Sequence, residues 1–205
     1  MIGNTPRIHV GLFLGLMLAL PLAVTGCAGL LVGGAATGAA VANDARTTGT
    51  LIEDQAIEVR AARALSRDDE IDQQAHINVT SYNEVVLLTG QAPNETLRER
   101  AGRIVAGVAK VRHVYNEIEV AAPSSILSRS NDTMLGTKVK AKLFTLSDFD
   151  ATRVKVVAEN DVVYLMGILT EAESDKVAEY VSRIGGVQRV VKLFEYKAPE
   201  RETSS

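Results

Sequence analysis

Three histidines, one cysteine and a run of three acids are the residues whose types could do chemistry. His9, His76 and His113 lie far apart, and none stands at metal-ligand spacing from another His, Cys or acid. Asp68-Asp69-Glu70 holds the carboxylates that acid–base catalysis or cation binding would need. It follows Arg67 and precedes an alternating segment, which is the setting of a solvated loop. There is no Gly-x-Ser-x-Gly elbow and no His-Glu-x-x-His helix, and the Gly-rich "GLLVGGAATG" has no strand before it to make a phosphate-cradling loop. These residues imply a protein that is not an enzyme and takes no cofactor and no metal.

Cys27 is different, because of what precedes it. Arg7 is followed by an apolar run from Val10 to Val24 and by small residues at Thr25 and Gly26, the order of a secretory signal. The stretch "VTGC" resembles the bacterial lipobox, in which the cysteine becomes the first mature residue and its thiol is diacylglycerated. The alternatives are an unmodified thiol after an ordinary cleavage site, or an uncleaved anchor, for which the run is short of the roughly 20 residues a span requires. One cysteine forms no internal disulfide, so no staple holds the fold in an oxidising compartment. Ala28 rather than Asp after the cysteine favours the outer membrane, by resemblance to sorted lipoproteins.

The 205 residues carry a net charge of −3 with 46% hydrophobic and 4% aromatic side chains and no Trp, enough for one ordinary domain or two small ones. A chain so close to neutral, without interleaved aromatics, gives no reason to expect nucleic acid as a partner. Residues 28–42, almost wholly small and apolar, fit a flexible tether or a close-packing helix. Residues 198–205 are polar and read as a frayed tail.

The rest is a repeat. "INVTSYNEVVLLTGQAPNE" from Ile77 aligns with "VKVVAENDVVYLMGILTEA" from Val154. Each predicts two strands joined by a tight turn, at Asn83-Glu84 and Asn160-Asp161, and closed by Gly90 or Gly167. A helix follows in each copy, capped by Asn94 or Thr170. Its core positions are Leu97, Ala101, Ile104 and Val105 in one copy and Val177, Ala178, Val181 and Ile184 in the other. A valine-rich third strand comes next, offset by one residue between copies. Before each hairpin lies another helix, with apolar stripes Ile57/Ala61/Leu65 and Leu135/Val139/Leu143, and with Asp54 and Asp132 placed near its start. The organisation read from this is a signal over 1–26, a lipidated tether over 27–50, a first domain over 51–121, a linker over 122–130, a second domain over 131–197 and a tail over 198–205.

This order of motifs resembles the BON domain, and a lipobox followed by two copies is similar to the dual BON-domain lipoproteins of Gram-negative bacteria. The resemblance implies an α+β fold, each domain α-β-β-α-β with a three-stranded mixed sheet backed by two helices. It also implies an outer-membrane anchor facing the periplasm and phospholipid binding by the second domain, in support of envelope integrity, often at division sites.

Charge singles out one helix. Glu53, Asp54 and Glu58 offset Arg60, Arg63 and Arg67 in the first copy, whereas the second holds Lys138, Lys140 and Lys142 with no acid between Asp132 and Asp148. A wheel centred on Leu135/Val139/Leu143 puts Met134, Thr137, Lys138, Ala141 and Phe144 on flanking and outward positions. These five are the candidate contacts to anionic phospholipid, phosphatidylglycerol or cardiolipin, with Met134 where the family has an aromatic. The competing expectation is a periplasmic adaptor or chaperone for outer-membrane protein assembly. It would hold an envelope protein partner through its sheet edges or the acidic loop of the first domain.

Overall fold

The computed structural model describes residues 48–197. Cys27, the signal, the tether except its last residues, and the tail lie outside the described residues. The first domain runs α1 (Thr48–Leu65), α2 (Asp69–Gln74), β1 (His76–Tyr82), β2 (Val85–Ala92), α3 (Glu95–Ala106), β3 (His113–Asn116) and β4 (Glu119–Val120). The second runs α4 (Ile126–Leu143), a 3-10 turn (Ala151–Arg153), β5 (Val154–Glu159), β6 (Val162–Leu169), α5 (Glu171–Ser182) and β7 (Arg189–Tyr196).

Local chemistry accounts for the elements. Asn83, Glu84, Asn160 and Asp161 all have positive φ, the conformation that a two-residue hairpin demands at both central positions. β1 pairs with β2, and β5 with β6, antiparallel; β3 and β7 join as parallel neighbours after a helical crossover, so each sheet is mixed. Val85 faces His113 and Val162 faces Arg189, which makes the crossover one residue longer in the first copy, the offset expected of the third strands. β4 continues β3 in the same register after a break at Glu117-Ile118, where Ile118 turns into the core. The Asn94 side chain accepts from Leu97 N at 2.9 Å, and Thr170 forms a reciprocal capping box with Glu173.

Four sequence expectations change. Gly90 and Gly167 do not close their strands but lie within β2 and β6. A side chain there would strike the carbonyl oxygen of His76 at 2.0 Å or of Arg153 at 2.7 Å. The acid run is no solvated loop: Asp68 caps α2, and Arg100 bridges Asp68 and Glu70. The Ile71 N–H bond holds the Asp68 carboxyl below its ordinary range, with the Arg100 bond adding to it. Asp54 and Asp132 are not at helix starts, because α1 begins at Thr48 and α4 at Ile126. The stretch read as a linker thus supplies the first turn of α4, capped by Ser125. Finally, Asp54 is buried and works on the hairpin rather than on a helix dipole. Its carboxylate accepts from the Ser81 hydroxyl at 2.7 Å and from the Asn83 and Glu84 amides at 2.8 Å, pinning the strained turn.

Each sheet has an apolar face on both sides. Val86 and Leu88 of β2 pack under α1 and α3, and Val163 and Leu165 of β6 pack under α4 and α5. The alternate residues Val85, Leu87, Tyr164 and Met166, with Tyr82 and Leu193, form a third core between the two sheets. Residues 48–197 are therefore layered helix, sheet, sheet, helix, and the continuous runs "VVLL" and "VVYLM" are strands buried on both faces. Burial, reinforced by the charge of Glu117, raises the Tyr164 phenol to about 12. Polar ties rim this core: Arg112 and Asn83 bind Glu195, and Gln91 bridges Ser124 N to Glu159.

Arg153 and Glu173 join the turn before β5 to α5 through two N–H···O bonds, at 2.5 and 3.0 Å. The guanidinium bond, followed by the Thr170 amide, lowers the Glu173 carboxyl to about 2 despite an opposing effect of burial. A depressed carboxylate adds stability above its unfolded pKa near 4.5, and that stability disappears as pH falls through about 2. Glu173→Gln should cost about 1–2 kcal/mol at pH 7, discounted for partial exposure. In urea melts at pH 7, 5 and 3 the gap between the two proteins should close as pH falls; a gap independent of pH would show that the ion pair does not carry the effect.

Candidate functional site

The surface helix α4 owes its position to one stripe, Leu135, Val139 and Leu143, which is buried against β5, β6 and α5. Everything opposite that stripe faces solvent. Met134 is 68% exposed and Phe144 61%, and Thr137, Lys138 and Ala141 lie exposed between them. The structure thus brings together on one face the five residues expected there. It adds Leu127, 72% exposed, one heptad before Met134 and two before Ala141. Leu127 fell within the stretch read as linker; its signal was the Ser125 cap together with the seven-residue spacing 127, 134, 141. Large apolar groups thereby extend over about 25 Å of helix at 1.5 Å per residue.

The lysines divide by role. Lys138 Nζ donates to the Gly185 carbonyl at 2.5 Å, tying α4 to the loop before β7. Lys140 Nζ donates to the carbonyls of Ala151 and Val154, both at 2.6 Å, and lies 5.5 Å from the Phe144 ring centre. Lys142 is exposed in the last turn. Their positive charge adds to the surface whether or not the ammonium is bonded, and no acid on the helix offsets it after Asp132. Thr137 and Thr133 send their hydroxyls back to carbonyls one turn earlier, so neither adds an unmet donor to the face.

Beside this face α4 borders a groove of about 710 Å³, walled by Thr137, Ala141 and Phe144 of the face itself, by β5 and by the start of β1. His76 lies there, its Nδ1 3.4 Å from Arg129, while His113 stacks edge-on against Tyr115 at 4.5 Å; neither joins a ligand set. Among the described residues no three His, Cys, Asp or Glu side chains are grouped to hold a metal, and no helix is long and apolar enough to cross a membrane.

Comparison with known proteins agrees with this architecture. The BON domain family model matches residues 53–122 and again 131–198. The chain is 39% identical over 183 residues to the outer membrane lipoprotein DolP of Haemophilus influenzae, covering 89% of this chain and 95% of that protein. It is 39% identical over 153 residues to the 21 kDa hemolysin of Actinobacillus pleuropneumoniae, covering 75% and 79% of the two chains. With the osmotically-inducible protein Y of Escherichia coli it shares 29% over 193 residues, covering 85% and 96%. Two family matches that coincide with the two folded copies, and near full-length similarity to an outer-membrane lipoprotein, assign the chain to the BON-domain family, as a non-catalytic, DolP-like dual BON-domain lipoprotein of the outer membrane.

Proposed function

We propose that the outward face of α4 docks on anionic phospholipid, phosphatidylglycerol or cardiolipin, while acyl chains on Cys27 hold the protein in the outer membrane facing the periplasm. The observation that carries this is the exposed stripe Leu127, Met134 and Phe144 set among lysines on a helix with no exposed acid. Each lysine near an anionic surface contributes about 1 kcal/mol of attraction, and the apolar side chains dip into the headgroup boundary. Such a contact is weak alone. One anchor of several acyl chains supplies retention, and the helix then biases which patch of membrane the tethered domain occupies. That bias toward anionic lipid is how the protein supports envelope integrity, at division sites among others.

Flotation of the protein with phosphatidylglycerol vesicles tests the lipid face. Met134→Glu, Leu127→Glu and Phe144→Glu should each lower the bound fraction several-fold with the fold intact, because a carboxylate replaces an apolar contact and meets like charge. Lys142→Glu should weaken binding less, and 0.5 M salt should weaken the wild type, since charges at the aqueous surface are screened. Leu135→Ala should instead cost about 2–5 kcal/mol of stability, as a core deletion. Folded Glu variants that float like wild type would remove α4 from the membrane contact.

The anchor has its own test. Cys27→Ala should move the protein from the membrane fraction to the soluble fraction, and mass spectrometry should find acyl chains on Cys27 in the wild type. An unmodified thiol would contradict the anchor.

A further inference from the structure

The edge strands β1 and β5 run side by side in opposite directions: Asn78 Nδ2 donates to Glu159 Oε2 at 3.1 Å, Lys155 Nζ to the Ser81 carbonyl at 3.0 Å, and the Tyr82 hydroxyl to the Arg153 carbonyl at 3.1 Å. Each edge is thus flanked by a helix of its own domain and by the strand of the other. The repeat makes these two surroundings equivalent, with Glu58 matching Gly136, Ser81 matching Ala158, and Lys155 matching Asn78. They are filled differently.

In a two-residue hairpin the residues flanking the turn exchange both ladder bonds, so the next residue of the edge strand points its N–H and C=O away from the sheet. At Ser81 both groups are met. The N–H donates to Glu58 Oε1 at 2.8 Å, the carbonyl accepts from Lys155 Nζ, and Glu58 and Lys155 pair with each other at 2.8 Å. At Ala158, paired with Val163, the same two groups face the groove beside α4, where Gly136 and Asn78 replace the ion pair. Val156 repeats the arrangement two residues earlier, before Lys140 covers the Val154 carbonyl.

Two further features mark the groove. Asp132 is 6% exposed and leaves Oδ2 without a partner, because Ala158 lacks the hydroxyl that Ser81 gives to Asp54; its Oδ1 has only the Asp161 amide at 3.4 Å. Gly136, in mid-helix, costs about 1 kcal/mol relative to Ala. A Cβ there would meet only the Ala158 Cβ, at 3.7 Å, so packing does not require the glycine. Its effect is to leave the floor open. On the rim stand Arg129, Lys140 and His76, while the nearby Glu159 is held by Asn78 and Gln91.

We propose that this groove receives an extended, acidic segment of a partner polypeptide, added as a further strand on β5. The segment's carbonyl takes the place that Glu58 has beside Ser81, and its N–H the place of Lys155. Val156 and Ala158 present these groups about 6.8 Å apart, the two-residue repeat of a strand. Its acidic side chains face Arg129 and Lys140, and a hydroxyl or amide donor on the alternate face reaches Asp132. The outer wall of the groove shares Thr137, Ala141 and Phe144 with the lipid face, whereas the Val156 and Ala158 edge and Asp132 do not belong to that face, so the peptide is tested without lipid.

The probe is an N-acetylated, C-amidated octapeptide of alternating Thr and Glu, added without lipid to the full chain in detergent, with amide exchange followed by NMR. At saturating peptide the Val156 and Ala158 amides should exchange at least tenfold more slowly, with Ser81 unchanged. Methylating the peptide's backbone nitrogens should abolish the effect. Asn78→Lys with Gly136→Glu rebuilds the ion pair of the first domain and should abolish it too, while Glu179→Gln, exposed on α5 and away from the groove, should bind within threefold of wild type. Four results would overturn the proposal. They are no protection by the peptide, equal protection by the N-methylated peptide or in the plugged variant, protection that rises with protein concentration alone and so reports a second copy, and protection by phosphatidylglycerol vesicles but not by peptide.

Discussion

The core between the two sheets determines what the rest of the surface can do. Tyr82, Val85 and Leu87 of one domain close against Tyr164, Met166 and Leu193 of the other, burying the faces that either sheet alone would leave wet. Each domain of some 70 residues is near the size at which a single core is marginal, so this shared layer is also where the pair gains stability. Because the sheets meet here, all the helices are forced outward. α4 can then present a second apolar stripe without losing its own core contacts.

The same packing brings β1 against β5, and here the repeat departs from symmetry. One edge is sealed by Glu58 and Lys155; the other is left with Gly136, Ala158 and a buried Asp132 lacking a partner for one oxygen. Exposed strand edges invite pairing, and proteins ordinarily cover them with charge or chain. The first domain follows that rule, while beside Ala158 the second leaves its edge facing the groove next to α4.

Much of this was legible in the chain. The Asn-acid turns, the Asn94 and Thr170 caps and the two helical stripes are local signals, and local physics decided them. The exposed positions of Met134, Thr137, Lys138, Ala141 and Phe144 followed from one helical wheel, because the core stripe fixes the opposite face. What escaped was whatever depended on distant partners. Asp54 read as a helix-end acid because its true partners, the amides of the hairpin, lie some thirty residues away. The start of α4 was masked by Pro123 and the serines, although Ser125 is itself a cap. The groove is invisible in either copy alone and emerges only when the residues that fill one edge are compared with their counterparts on the other.

The claim on which the functional account rests is that α4 lies on the bilayer along its outward face. Nitroxide labels at Leu127, Met134, Ala141 and Phe144, with Ile52 and Val59 of α1 as reference, can be read on phosphatidylglycerol-rich vesicles against membrane-dissolved oxygen and a water-soluble nickel chelate. The account predicts that the four α4 labels gain oxygen contact and lose chelate contact on vesicle binding while both α1 labels stay in water. Vesicle-bound protein whose α4 labels remain fully open to the chelate would contradict it.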